Sequence, residues 1–241
     1  MRTFSHPGYK RFLLSVGCLL SIHFTALFFL TLFRLVFFFS ANYDFPDQEH
    51  VGFMSIWPAF IRGVWFDNVI ACYILLIPLV AVSISALFNY YGKILWNVTC
   101  IFFSLFYGIV LLVTADNIPY FQYFFKINNS SVFNWFGYMN TTAGMVFGET
   151  SYYPPLIGFL LTLVLFIWLM RRLIRHFQCL LNTKNPSVFW LDRIYIFLTA
   201  GICIGLCLFG IRGRTGYNPI KVSAAYYCTD PFLNQLGISP V

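Results

Sequence analysis

The sequence predicts an all-α, polytopic membrane protein with about five transmembrane helices, and three observations lead there. The first is residue balance: of 241 residues, 59% are hydrophobic, 21% aromatic and only 10% charged, against roughly 25% charged in an ordinary soluble domain. Eight carboxylates and fifteen Lys and Arg cannot solvate the outside of a water-soluble domain of this length, so lipid must cover the rest. The second is run length, because five apolar stretches reach or approach the roughly 20 residues that cross about 30 Å of hydrocarbon. The third is continuity: each stretch is apolar throughout, whereas a membrane β-strand alternates and lasts about ten residues.

The predicted helices lie near 12–39, 68–88, 94–115, 152–170 and 194–211. The first runs from Phe12 to Phe39, interrupted only by His23 and Arg34. It far exceeds the roughly 7–15 apolar residues of a signal peptide and no small-residue cleavage site ends it, so it reads as a permanent helix. Asn68 to Phe88, Ile94 to Ala115, Tyr152 to Met170 and Ile194 to Ile211 follow.

Lys and Arg are retained on the cytoplasmic side and set orientation. An inside N-terminus puts nine of them in the cytoplasm (Arg2, Lys10, Arg11, Lys93, Arg171, Arg172, Arg175, Lys184, Arg193) and five outside (Arg62, Lys126, Arg212, Arg214, Lys221), with Arg34 in the membrane. The reading is therefore N-terminus in, C-terminus out. The net charge of +7 does not indicate nucleic acid, since the basic residues sit at helix ends without a stripe of stacking aromatics. Anionic headgroups account for them better. Of seven cysteines, Cys18, Cys72, Cys100, Cys203 and Cys207 fall within apolar runs, and no paired spacing indicates a metal or a disulfide framework.

The loops on the exported side are the richer ones. Residues 42–66 hold Asp44, Asp47 and Glu49, then an apolar stretch with Trp57, Pro58 and Trp65 that suits the interface. Residues 116–151 form an aromatic, amphipathic exported loop expected to lie along the outer bilayer surface. Its Asn-X-Ser/Thr triplets at Asn128, Asn129 and Asn140 matter only in a eukaryotic secretory pathway. Residues 212–241 read as an exported connecting segment.

Charge at membrane depth is costly, so each such residue invites a functional reading. Arg34 comes late in the first helix, Asp67 opens the second and Asp116 closes the third. Either the three form an intramembrane charge cluster, or Arg34 snorkels to the headgroups while both aspartates sit at the interface. A proton pathway lacks a second layer of ionisable residues toward the cytoplasm. HExxH, nucleophile-elbow, Walker and GxGxxG signatures are absent from the sequence, and no catalytic or metal-binding residue is assigned.

The order of landmarks resembles the N-terminal membrane domain of the lipoteichoic acid synthase-like family, membrane-anchored phosphoglycerol transferases and sulfatase-superfamily proteins, in its Bacteroidetes type. Arg34 fits the end of the first helix, and Arg62-Gly63-Val64-Trp65-Phe66-Asp67 resembles the family's Gly-x-Arg-Phe-Asp element, with Trp65 departing at the arginine. Asp116-Asn117-Ile118-Pro119-Tyr120-Phe121 is similar to its Asp-x-x-Tyr-Phe segment, and Lys126-Ile127-Asn128 stands near where an Arg-Thr pair is usual. Arg212-Gly213, Asn218-Pro219 and Asp230-Pro231-Phe232-Leu233-Asn234 resemble the elements that follow its fifth helix.

The resemblance implies a bacterial cytoplasmic (inner) membrane location and contact with lipid, including anionic phospholipid such as phosphatidylglycerol. It also implies an extracytoplasmic domain of the alkaline phosphatase superfamily, absent from this chain, with a Thr nucleophile and Mn or Mg as its metal. Three functions stand open: a membrane anchor for such a domain, a small transporter or channel, and an intramembrane lipid-modifying enzyme using Asp67, Asp116 or Glu149 with Arg34.

The topology is tested with reporter fusions. Fusions at Asn89, Ser151, Asn185 and Val241 are expected to report inside, outside, inside and outside, because retained Lys and Arg outnumber exported ones. A cytoplasmic signal at Val241 would defeat the five-helix topology.

Overall fold

The computed structural model describes residues 6–43, 53–128, 137–138, 144, 147–148, 150–181, 190–214, 219–228 and 231–238. Among these there is no strand. Five helices are long and apolar enough to cross a membrane: α1 (Pro7–Tyr43), α2 (Phe53–Leu87), α3 (Lys93–Phe124), α4 (Tyr153–Leu181) and α5 (Trp190–Arg212). A short sixth, α6 (Pro231–Leu236), and single 3-10 turns at Thr150–Tyr152 and Val222–Ala225 complete the described elements. The chain is a multi-pass, all-α membrane protein.

Each long helix holds all or nearly all of one predicted span and is longer than that span. With 37 residues, α1 is about 55 Å long at 1.5 Å per residue, well beyond the hydrocarbon thickness. Hydropathy finds the length that crosses lipid, whereas a helix propagates until its backbone is capped. Two expectations therefore change. Residues 53–66, read as interfacial loop, are the first turns of α2, so Asp67 lies inside a helix. Residues 116–124, read as the start of the amphipathic loop, are the last turns of α3, which contains Asp116 and continues through Pro119. Asp44, Asp47, Glu49, Asn129, Asn140, Lys184 and most of 129–149 lie outside the described residues.

The helices divide between two compact units. The first holds Met1–Ala26, Asn68–Tyr107 and Phe166–Pro219. Its core includes Phe12, Leu19 and Ile22 of α1, Val82 of α2, Trp96 and Phe103 of α3, Phe166 and Met170 of α4, and Ile196 of α5, all buried. Tyr107 stacks on Phe103 at 5.8 Å and meets Phe166 edge-on at 5.4 Å. Polar cross-links fix helix register there: His6 Nδ1 lies 2.8 Å from Asp192, and His23 Nε2 lies 3.1 Å from Asn68 Oδ1. Arg11 stands 5.5 Å from the centre of the Tyr91 ring. Burial pushes the Tyr91 phenol up to about 12 against the opposing pull of Arg11, so the ring meets that cation as a neutral π face.

The second unit holds Leu27–Asp67, Gly108–Leu165 and Ile220–Val241. Aromatic rings dominate it: Phe232 of α6 lies 6.0 Å from Phe37, 6.1 Å from Phe38 and 5.8 Å from Phe121. Exposure elsewhere is apolar. In the most hydrophobic windows of α4 and α5 only 17% is buried, against 50% for α1 and α2, which leaves Leu161, Val164, Phe197 and Leu206 for lipid.

Helix ends use left-handed residues. After α2, Asn89 has φ 55°, and Tyr90 N–H donates to Ser85 O at 2.8 Å while Asn89 N–H donates to Ala86 O at 3.0 Å, the Schellman arrangement. After α5, Gly213 has φ 63° and its N–H reaches Phe209 O and Gly210 O, each at 3.1 Å. Replacing Asn89 with Gly is expected to leave stability unchanged or slightly raised, whereas Gly213→Ala is expected to cost about 1–2 kcal/mol. Thermal unfolding in detergent reads both, and equal stability of Gly213→Ala and wild type would refute the cap.

Candidate functional site

On α1, helical spacing places Leu30, Phe33, Arg34, Phe37 and Ala41 along one buried stripe. Arg34 alone carries charge there, and it is only 6% exposed. Its Nη2 donates to Asp67 Oδ2 at 2.8 Å. Asp67 is itself 1% exposed, so neither charge has recourse to water. Gly63 precedes Asp67 by one helical turn on the same face of α2. A Cβ at Gly63 would overlap the guanidinium carbon and two of its nitrogens. Thus α2 offers Arg34 a gap and then a counter-charge.

The other face of the guanidinium serves the backbone. Nη1 donates to Leu236 O, the last residue of α6, and to Ile238 O at 3.0 Å. A helix leaves its final carbonyls without partners and favours a cation beside them, so Arg34 caps α6. Three further side chains hold the same segment. Asn234 Oδ1 accepts from Tyr227 N–H at 2.9 Å and Cys228 N–H at 3.3 Å, while its Nδ2 donates to Cys228 O at 2.7 Å. Gln235 Oε1 accepts from Ile127 N–H at 3.1 Å and its Nε2 donates to Phe125 O at 3.2 Å. Arg62 lies 4.4 Å from the centre of the Tyr227 ring.

Asp116 departs from the expected cluster. Its Oδ2 accepts from Asn128 Nδ2 at 2.6 Å, and neighbouring Asn117 Oδ1 accepts from Asn128 N–H at 2.8 Å. No ion pair joins it to Arg34. Asp67 already takes Nη2 and the carbonyls of Leu236 and Ile238 take Nη1, while the buried Nε has no hydrogen-bond partner; Asp116 clasps the turn after α3 instead. The snorkelling alternative fails as well, because Arg34 is enclosed by protein. The partly open pocket beside it, lined by Arg34, Asp67, Thr114, Asn117 and Gln235 among others, has about 20 Å³ of room, roughly what one water molecule needs.

The other landmarks are scattered. Arg62, Gly63, Phe66, Tyr120 and Phe121 belong to the unit that contains Arg34, whereas Arg212, Gly213 and Pro219 belong to the other unit. Phe121 is buried against Phe37 at 5.0 Å and Tyr120 meets Phe124 at 4.6 Å. Phe66 is half-buried, Arg212 and Pro219 are exposed, and Asn218 lies outside the described residues. Gly213 has a purely conformational role as a helix cap. The residues that sequence reading missed are Asn117, Tyr227, Gln235, Leu236 and Ile238. One signal was available for α6, namely Pro231 at its first position and Gly237 just past its end. Among the described residues no group of three or more His, Cys, Asp or Glu is placed to hold a metal ion. No family model, curated protein or solved structure matches the chain.

Breaking one side of a buried ion pair strands the other charge, so Asp67→Asn is expected to cost about 3–5 kcal/mol. The double variant Arg34→Met with Asp67→Leu is expected to lose less than either single change. Gly63→Ala is expected to destabilise by displacing the guanidinium. Labelling of half-buried Cys228 by a polar maleimide reports release of the α6 segment, with Cys228→Ser as the blank. Unchanged labelling in Asp67→Asn would show that the pair does not hold that segment.

Proposed function

We propose that the chain is the membrane domain of a lipoteichoic acid synthase-like protein of the bacterial cytoplasmic membrane. In this reading it anchors and positions an extracytoplasmic domain of phosphoglycerol transferase or sulfatase type, with its N-terminus cytoplasmic and its C-terminus outside. The observation that carries the reading is the grip of Arg34, seated by Asp67 and Gly63, on the final carbonyls of α6. A tether needs the segment beyond the last spanning helix fastened to the membrane helices, and directed hydrogen bonds supply a defined register. The competing readings need space or free reactive groups at the charge site. The small room beside Arg34, about 20 Å³, favours the anchor reading over one that seats a lipid headgroup or a hydrated ion there. Asp67, committed to Arg34, is not a free general base. Anionic phospholipid such as phosphatidylglycerol is the proposed lipid partner, through exposed Arg171, Arg172 and Arg175 at the end of α4.

The reading predicts that the chain alone, purified into lipid, turns over neither a labelled phosphatidylglycerol analogue nor a chromogenic phosphate or sulfate ester with Mn²⁺ or Mg²⁺. That chemistry needs an activated nucleophile beside a charge-neutralising metal. Metal-dependent turnover that co-purifies with the chain and disappears in Glu49→Gln with His50→Ala would replace the anchor by an interfacial enzyme.

A further inference from the structure

Within the second unit, α1, α3 and α4 border a partly open groove that plays no part in holding α6. Leu32 and Val36 of α1, Ile118 of α3, and Pro154 and Pro155 of α4 are among its walls, and it offers about 320 Å³ of room. Ligand pockets run from about 300 to 1,000 Å³ and are apolar over most of their lining, with a few polar groups that fix orientation. The lining extends along α1 from Leu32 to Ser40 and along α4 from Pro154 to Thr162, about 12 Å on each helix at 1.5 Å per residue. Gly158 lies midway along the α4 side. A Cβ there would meet nothing within 4 Å, so the glycine sets the room. Leu32 and Val36 are exposed, which turns the open side toward lipid.

The two ends of the groove differ. One lies where α1 and α3 finish and α4 begins, and it carries Ser40 and Gln122, whose Nε2 donates to Ser40 Oγ at 2.9 Å. Neither the Ser40 O–H nor Gln122 Oε1 has a further hydrogen-bond partner among the described residues. The pair therefore presents one spare donor and one spare acceptor. Thr162, toward the other end, is already satisfied, because its hydroxyl donates to Gly158 O at 2.7 Å. No charged side chain lines the groove among the described residues. Two of the first three residues of α4 are Pro154 and Pro155, which lack the N–H groups that gather an anion at a helix start.

We infer that the groove holds one acyl chain of an uncharged glyceride, with the glycerol hydroxyl and ester against Ser40 and Gln122. Walls with nothing against them forfeit dispersion contacts, and in a membrane the neighbour that fits a narrow apolar slot is a methylene chain. Burial of that chain does not select the lipid, because the surrounding acyl chains are equally apolar. Selection comes from the polar end. There a glycerol hydroxyl donates to Gln122 Oε1 and an ester carbonyl accepts from the Ser40 O–H, so each group is satisfied without charge. A phosphate would bring its charge to a mouth lined by no cation. The polar end sits at the helix termini and the apolar walls run inward, which is how a lipid lies in its leaflet. Neither Arg34 nor α6 takes part, so the site stands or falls apart from the anchor reading.

The test reconstitutes the chain in phosphatidylcholine vesicles with a monoacylglycerol whose chain carries a diazirine, and maps crosslinked peptides by mass spectrometry. The same chain on lysophosphatidylcholine and on lysophosphatidylglycerol supplies the charged comparisons. The glyceride is expected to label residues 32–40, 118–122 or 154–162, to be competed by unlabelled monoacylglycerol, and to exceed either phospholipid probe roughly fivefold. Gly158→Trp fills the slot and is expected to abolish labelling. Gly201→Trp is expected to leave it unchanged, since Gly201 of α5 is exposed and a Cβ there also meets nothing within 4 Å. Ser40→Ala with Gln122→Leu is expected to bring the three probes level. Labelling that is not competed, that survives Gly158→Trp, or that is as strong with the phospholipid probes would overturn the site. If Gly158→Trp fails to fold, competition and the comparison of probes on the wild type still decide.

Discussion

The second unit is organised by one constraint: a guanidinium placed on an apolar stripe of α1 must find charge and acceptors inside the protein. An uncompensated charge there costs several kcal/mol even after relaxation. Asp67 supplies the counter-charge, but one carboxylate oxygen cannot satisfy a group with five N–H donors. The carbonyls of Leu236 and Ile238 take two further bonds. Gly63 makes the approach possible, and the position of α6 follows. A residue that looks like a liability in the sequence thereby dictates where the chain goes about two hundred residues later.

The irregular backbone around this pair faces the same shortage of water. Peptide groups near hydrocarbon have to be paired within the protein, and amide side chains do much of that pairing. Asn234 spans the turn at Tyr227 and Cys228, Gln235 reaches Phe125 and Ile127, and Asn117 with Asp116 holds Asn128. Asp116 has the same chemistry as Asp67 and a different office. Geometry decides between them, since Asp67 shares a face with Gly63 opposite Arg34 whereas Asp116 looks toward the turn that leaves α3.

That contrast marks how far the sequence could be read. The five spans were legible because lipid selects for apolar length, a property of the chain alone. The pairing of Arg34 with Asp67 was legible because charge in hydrocarbon seeks its opposite. Helix ends were not, since residues 53–66 and 116–124 carry charge or Pro yet remain helical, and their backbone bonds leave no trace in hydropathy. The roles of Leu236 and Ile238 were invisible for a deeper reason: they act through carbonyl oxygens, which every residue has. Side-chain identity cannot announce a backbone acceptor.

Why a polar clasp should hold α6 follows from the solvent. In water, Phe232, Leu233 and Leu236 would bind an apolar groove by leaving water, but lipid tails are as apolar as those side chains, and that drive is absent wherever the alternative neighbour is an acyl chain. Close aromatic packing still contributes dispersion, yet it tolerates sliding by a fraction of a turn. A guanidinium divided between a carboxylate and two carbonyls does not, because its N–H directions are fixed in a plane. The ion pair and the amides therefore set the register, and the phenylalanines fill the space that register defines. A segment held this way is fixed in orientation as well as in place, which an apolar plug alone would not achieve.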